Sequence, residues 1–190
     1  TDPGGQIASW LANVGNGGAA YDNCGGAVSN FTNNYAGLSD ECGATGTATV
    51  TFTANDACGL TSTRTATVTI EDTTAPAFPT SAQALNVECD ANTASTISGW
   101  LTSNGNAVVS EACGTVTWSN DYVGYSAVCP GTGTATVTFT ATDECGFSAS
   151  TMAIITVSDT QNPIFTTPPS STQVQCSANV MTEYAAWLAS

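Results

Sequence analysis

The sequence has no lysine and no histidine, and Arg64 is its one basic residue against fifteen acidic ones, for a formal net charge of -14. A nucleic-acid surface needs Lys and Arg to neutralise phosphates, so nucleic acid is excluded as a partner. A polybasic membrane-surface patch is excluded for the same reason. Without histidine there is no imidazole acid–base catalyst, no Ser-His-Asp or Cys-His nucleophile and no His-ligated zinc. Without lysine there is no Schiff base and no phosphate-loop lysine. Long apolar runs are missing too, so no membrane insertion of this segment is expected. Charged residues make up only 8 % against 42 % apolar, the reverse of the balance that keeps a chain disordered.

What the sequence has in abundance is repetition. The run from Thr45 to Gly59 recurs from Thr132 to Gly146 with thirteen of fifteen positions identical, at an offset of 87. The same offset carries Cys42 to Cys129, Phe31 to Trp118, Asp72 to Asp159, Pro76 to Pro163, Cys89 to Cys176 and Trp100 to Trp187. Trp10 precedes Trp100 by 90. The expected organisation is repeat one over residues 1–75, lacking its N-terminal part, repeat two over 76–162, and the start of repeat three over 163–190. Cys89 and Cys176 each stand eleven residues before a Trp, a position that in repeat one falls before Thr1. The chain therefore reads as an excerpt from a longer array.

Each unit reads mostly as strand. In 47–54, Ala48, Val50, Phe52 and Ala54 alternate with four threonines, the period of a half-buried strand. Segments 65–71 and 152–158 follow a Cys-Gly turn and complete hairpins. Residues 116–118 form a further strand, and 84–87 the first strand of its repeat. Ile7, Trp10 and Leu11 stand at i, i+3, i+4, as do Ile97, Trp100 and Leu101, and Tyr184, Trp187 and Leu188. That is one helical face, followed by Gly15 or Gly105 as at a helix C-terminus. The fold class is all-β: tandem Ig-like antiparallel β-sandwich repeats, disulfide-stapled, each with one short helix.

The strand Thr-Val-Thr-Phe-Thr-Ala-x-Asp-x-Cys-Gly and the linker Asp-Thr-x-x-Pro-x-Phe resemble hyalin-type (HYR-like) immunoglobulin-like repeats. With the opening Cys, the Trp-Leu helix and the Thr-Gly-Thr-Ala-Thr run, the pattern is similar to the repeats of giant cell-surface adhesins of gliding Bacteroidota, the SprB type. The resemblance covers the whole chain. It implies an extracellular, cell-surface role in adhesion, as a stalk or a binding array, and no enzyme activity. It implies adjacent repeats as partners, with a surface polysaccharide or substratum as ligand and gliding motility as the setting. The alternatives are a structural subunit of an extracellular filament and an accessory module of a secreted hydrolase.

Eight cysteines in a lysine-free surface-type chain read as structural disulfides. With no Cys-x-x-Cys pair and no His, zinc is disfavoured. In a sandwich strung end to end, the first and last strands of a module run the same way. The penultimate strand runs back and ends at Cys145, beside Cys113 if the 116–118 strand neighbours it antiparallel. This topology predicts Cys113–Cys145, its equivalent Cys24–Cys58, and Cys89–Cys129 at the other pole. Cys42 and Cys176 are then expected to lack partners within the chain.

Asp22, Asp56, Glu111 and Asp143 each sit two residues before a Cys-Gly. One role for them is turn chemistry, since Asp readily bonds nearby backbone. The other is a hard-cation site, with Glu111 and Asp143 brought to the pole where Glu71 and Asp72 enter from the linker. No cofactor is required by the sequence; Ca²⁺ is the ion those four acids would take. A glycosidase pair is the less fitting reading, because the same acids recur in every unit.

Overall fold

The computed structural model describes residues 3–127, 131–171, 173 and 180–189. They fall into two compact units, Thr1–Asp159 and Thr160–Ser190. The first holds all the strands among the described residues: β1 (Ala20–Asp22), β2 (Gly26–Val28), β3 (Asn30–Asn33), β4 (Gly46–Asn55), β5 (Thr61–Ile70), β6 (Ala77–Thr80), β7 (Leu85–Glu88), β8 (Val108–Ser110), β9 (Val116–Asn120), β10 (Ser126–Ala127), β11 (Gly133–Asp143) and β12 (Ser148–Ser158). Pairing divides them into two modules. β1 pairs with β2 and β3-β4-β5 form a sheet; β6 pairs with β8, and β11 joins β12, β9 and β10. The linker between β5 and β6 carries no strand. The chain is thus all-β, built of antiparallel sandwich modules with one short helix each.

The long hairpins follow from strict alternation. In β11, Val137, Phe139 and Ala141 are buried, while Thr134 and Thr136 on the other face are exposed. β12 answers with Ala153, Ile155 and Val157 inward and pairs along the whole of β11, Thr134 opposite Thr156 through Thr142 opposite Ser148. β7 lies parallel to β12, Leu85 opposite Ile155, so the two strands run the same way, as the end-to-end string requires. β9 is antiparallel to β11, Trp118 opposite Ala141. The strand expected first at 84–87 is preceded in the structure by β6, which pairs with β8 in a separate two-stranded sheet; its Phe78 meets Trp118 at 5.7 Å. In the first module the outward face of the β4–β5 hairpin is threonine against threonine, with Thr49 and Thr67 hydroxyls 3.2 Å apart.

Helices cover the inward faces. The Thr93–Thr102 helix places Trp100 edge-on against Phe139, with centroids 5.0 Å apart, and donates its indole N–H to the Gln83 carbonyl at 2.9 Å. The Pro3–Ala12 helix likewise sets Trp10 edge-on against Phe52 in the first module, at 5.4 Å. The glycine after each helix is left-handed, Gly15 at φ +67 and Gly105 at φ +64. Each lies under its own Trp–Phe pair. The helix expected around Trp187 spans Val180–Leu188 in the second unit, where Tyr184 and Trp187 are 6.2 Å apart.

The repeat extends to edge capping. Asn34 Oδ1 accepts the Thr51 N–H at 2.7 Å, and Asp121 Oδ1 accepts the Thr138 N–H at 2.7 Å, one offset later. That backbone bond holds the Asp121 carboxyl below the ordinary carboxylate range. A lowered folded-state pKa stabilises the fold above the unfolded value of about 3.9, and the contribution is lost as pH falls through the folded value. Asp121→Asn should therefore flatten the dependence of the urea midpoint on pH in the acid limb. An acid limb identical to wild type would show that the bond contributes nothing.

Two glycines of the second module should respond with opposite signs. A Cβ at Gly99, within the helix, would meet nothing within 4 Å, whereas one at Gly105 would lie 2.8 Å from the Phe139 ring. Gly99→Ala should stabilise by roughly 0.5–1 kcal/mol through helix propensity. Gly105→Ala should destabilise by more than about 1 kcal/mol through backbone strain and displacement of the ring. Urea unfolding of both variants checks this, and equal shifts would contradict it.

Candidate metal centre at the joint between modules

The first module reaches the second through the loop between β3 and β4. Buried Thr45 shapes this loop: its hydroxyl donates to the Cys42 carbonyl at 2.6 Å and accepts the Cys42 N–H at 3.2 Å. The loop then meets the turn before β9 backbone to backbone, the Ala44 N–H donating to the Cys113 carbonyl at 2.8 Å. Glycine is needed on both sides of that contact. Gly43 has φ +57, and a Cβ there would overlap the Cys113 carbonyl oxygen. A Cβ at Gly114 would lie 3.2 Å from the Gly43 Cα and 2.9 Å from Glu144 Oε2.

Cys42 and Cys145 form a disulfide across this joint, 103 residues apart in sequence and 5.0 Å apart at Cα. The expected pairing is corrected: Cys145 is not bonded to Cys113, and Cys42 has a partner. The strand order did bring Cys113 and Cys145 to one pole, because β9 is antiparallel to β11. The neighbouring module's loop reaches the same pole and takes the bond. Cys24, Cys58, Cys89 and Cys113 are free thiols. Cys24 and Cys58 are therefore not bonded to each other, although both line one cleft of about 420 Å³ with Asp22 and Asp56. Cys89 lies against Gly131, where a Cβ would run into its sulfur. Because Cys89 is free, the expected Cys89–Cys129 bond is corrected as well; Cys129 and Cys176 themselves lie outside the described residues, and with them the expectation of a lone Cys176.

The acids at this pole do the turn chemistry expected of them with one oxygen each. Asp143 Oδ1 accepts the N–H groups of Cys145 and Phe147, both at 2.9 Å. Glu111 Oε1 accepts those of Ala112 at 2.6 Å and Cys113 at 2.8 Å. Asp72 Oδ1 takes the Thr74 N–H at 3.0 Å and its hydroxyl at 3.1 Å. The second oxygens are the notable ones. Asp72 Oδ2 and Asp143 Oδ2 are both buried with no hydrogen-bond partner among the described residues. Asp143 as a residue is only 6 % exposed. Potential ligand atoms of Asp72, Asp143 and Cys145 lie within 4.8 Å of one another, as do those of Asp72, Glu111 and Cys113. Asp72 is common to both groups. Glu71 is exposed and belongs to neither. Of the four acids expected at this pole, Asp72 thus stands close to Asp143 in one group and to Glu111 in the other, and Glu71 stands apart.

The sulfurs here are poor ligands. Cys145 is oxidised in the disulfide. Burial raises the Cys113 thiol pKa, and Asp72, Glu111 and Asp143 raise it further, so Cys113 stays a neutral thiol near neutrality. The donor set is oxygen, and oxygen donors suit a hard cation rather than zinc.

No family model matches the chain, and no curated protein matches it. Among solved structures it is similar to part of mouse clustered PcdhgC3 EC1-3, at 17 % identity and a TM-score of 0.28, over 61 % of this chain and 44 % of that one. A likeness that slight decides nothing about this protein.

Peptide mapping without reductant should recover Cys42 joined to Cys145, and Cys42→Ser should cost about 2–5 kcal/mol of stability, as expected for a bond closing so long a loop. A peptide joining Cys113 to Cys145 in the wild-type protein would refute the joint described here. Alkylation of Cys113 should require a more alkaline pH than an ordinary thiol, because its pKa is raised.

Proposed function

We propose that the chain belongs to the extracellular repeat region of a large bacterial surface adhesin. In this reading it serves as an extended stalk, or as an array that binds a surface polysaccharide or substratum, with gliding motility as its setting. The fastened joint carries this reading. Two modules built to one plan are held by a covalent bond and a backbone-to-backbone contact. A catalyst has no need of such a joint, whereas a spacer that must keep its direction does. A disulfide suits an oxidising, extracellular compartment. The acid excess keeps the surface soluble and disfavours anionic polymers as ligands. No helix among the described residues is long and apolar enough to cross a membrane.

A second reading, a subunit of an extracellular filament, is favoured by one observation. On the outward face of β12, Met152 and Ile154 are exposed, where the first module carries threonines. Apolar side chains on an otherwise polar sheet face suit lateral association.

Antibody raised against this chain should label intact cells of the source bacterium. The soluble chain, added in excess, should reduce attachment of those cells to a polysaccharide-coated surface. Labelling only after lysis would sink the surface assignment. Concentration-dependent self-association with no effect on attachment would favour the filament.

A further inference from the structure

We propose that Asp72, Glu111 and Asp143 form a Ca²⁺ site where the linker enters the second module. The proposal rests on the joint's geometry and not on the adhesive reading. Its strongest support is Asp143 Oδ2, an oxygen on a residue 94 % buried that has no partner among the described residues. Asp72, which shares a tight group with Asp143, also carries an unpartnered buried oxygen, Oδ2. Buried polar atoms are normally hydrogen-bonded, and buried carboxylates are normally paired or bound to metal. Two carboxylates this close also repel strongly in a low dielectric. Arg64, the one basic side chain, donates to the Thr63 carbonyl and enters neither group.

The turn bonds orient each carboxylate without using up its capacity. Asp72, Glu111 and Asp143 each spend one oxygen on backbone N–H donors and keep the other. Three carboxylates with oxygen-only chemistry fit Ca²⁺, which takes six to eight oxygens in irregular geometry and completes its shell with water and carbonyls. Mg²⁺ demands a near-ideal octahedron and gives up its water reluctantly, so the site should prefer Ca²⁺. Asp72 belongs to the linker and the other two acids to the second module. A bound ion therefore fixes the direction in which one module leaves the other.

The test uses the whole 190-residue chain, oxidised, titrated with CaCl₂ by calorimetry and melted with Ca²⁺ or with chelator. Binding is expected with a dissociation constant on the order of 10⁻⁴–10⁻³ M, the range of extracellular modules. Asp72→Asn and Asp143→Asn keep the oxygen that serves the turn and remove the charge. Each should weaken Ca²⁺ binding at least roughly tenfold, by loss of a charged ligand. Each should also melt higher than wild type in chelator and lower than wild type in Ca²⁺, a crossover that a purely structural role does not give. Glu71→Gln, outside both groups, should bind as wild type does. Absence of heat and of a melting shift at millimolar Ca²⁺ would overturn the site. Equal binding by wild type and both Asn variants would overturn it too, by showing diffuse association with surface acids.

Discussion

Everything in the first compact unit depends on covering one face of a two-strand hairpin. β4–β5 and β11–β12 are long, alternate strictly, and present a single apolar face that must be buried. A short helix lays one tryptophan edge-on against the central phenylalanine of that face, and a left-handed glycine closes over the pair. Trp10, Phe52 and Gly15 in one module and Trp100, Phe139 and Gly105 in the next are the same device. The opposite face is left to threonine in the first module, and to threonine with Met152 and Ile154 in the second, so it carries no charge.

With the core settled by the hairpin, the poles are free to specialise. The turn Asp-x-Cys-Gly recurs in both modules, and in both the Asp takes N–H donors from its own turn: Asp56 from Cys58 and Leu60, Asp143 from Cys145 and Phe147. The surroundings differ. Asp56 and Cys58 line an open cleft. Asp143 and Cys145 are covered by the linker and by the loop of the preceding module. One turn thus yields a solvated cap in one place and a crowded carboxylate cluster in the other.

Much of this was legible in the sequence, because period-two alternation and an offset repeat are local signals. The hairpins, the helices, the parallel relation of β7 to β12 and the meeting of Asp72, Glu111 and Asp143 at one pole all follow from them. The Cys42–Cys145 bond does not, because it joins residues of different modules, and no local pattern records which loop reaches which pole. The one trace is a break in the repeat: Gly43 stands where the offset places Pro130. Proline cannot adopt the left-handed conformation that brings this loop against the Cys113 carbonyl. Glu71 stands apart from the cluster for a related reason. Adjacent residues of an extended linker point to opposite sides, so Asp72 turns inward and Glu71 faces water.

The cross-module disulfide also determines what happens when the chain is pulled. Load entering along the first module passes from Cys42 directly to Cys145 and leaves through β12. β4, β5, the linker and the second module as far as β11 lie inside the closed loop and carry none of it along their own backbone. Those 103 residues of separation withhold about 350 Å of contour, at roughly 3.4 Å per residue, for as long as the bond is intact. β12 then takes the load in shear, paired along its length with β11 and flanked by β7, the geometry in which many backbone hydrogen bonds must fail together. Thiol reduction would release that reserve and turn a short, stiff tether into a long, compliant one.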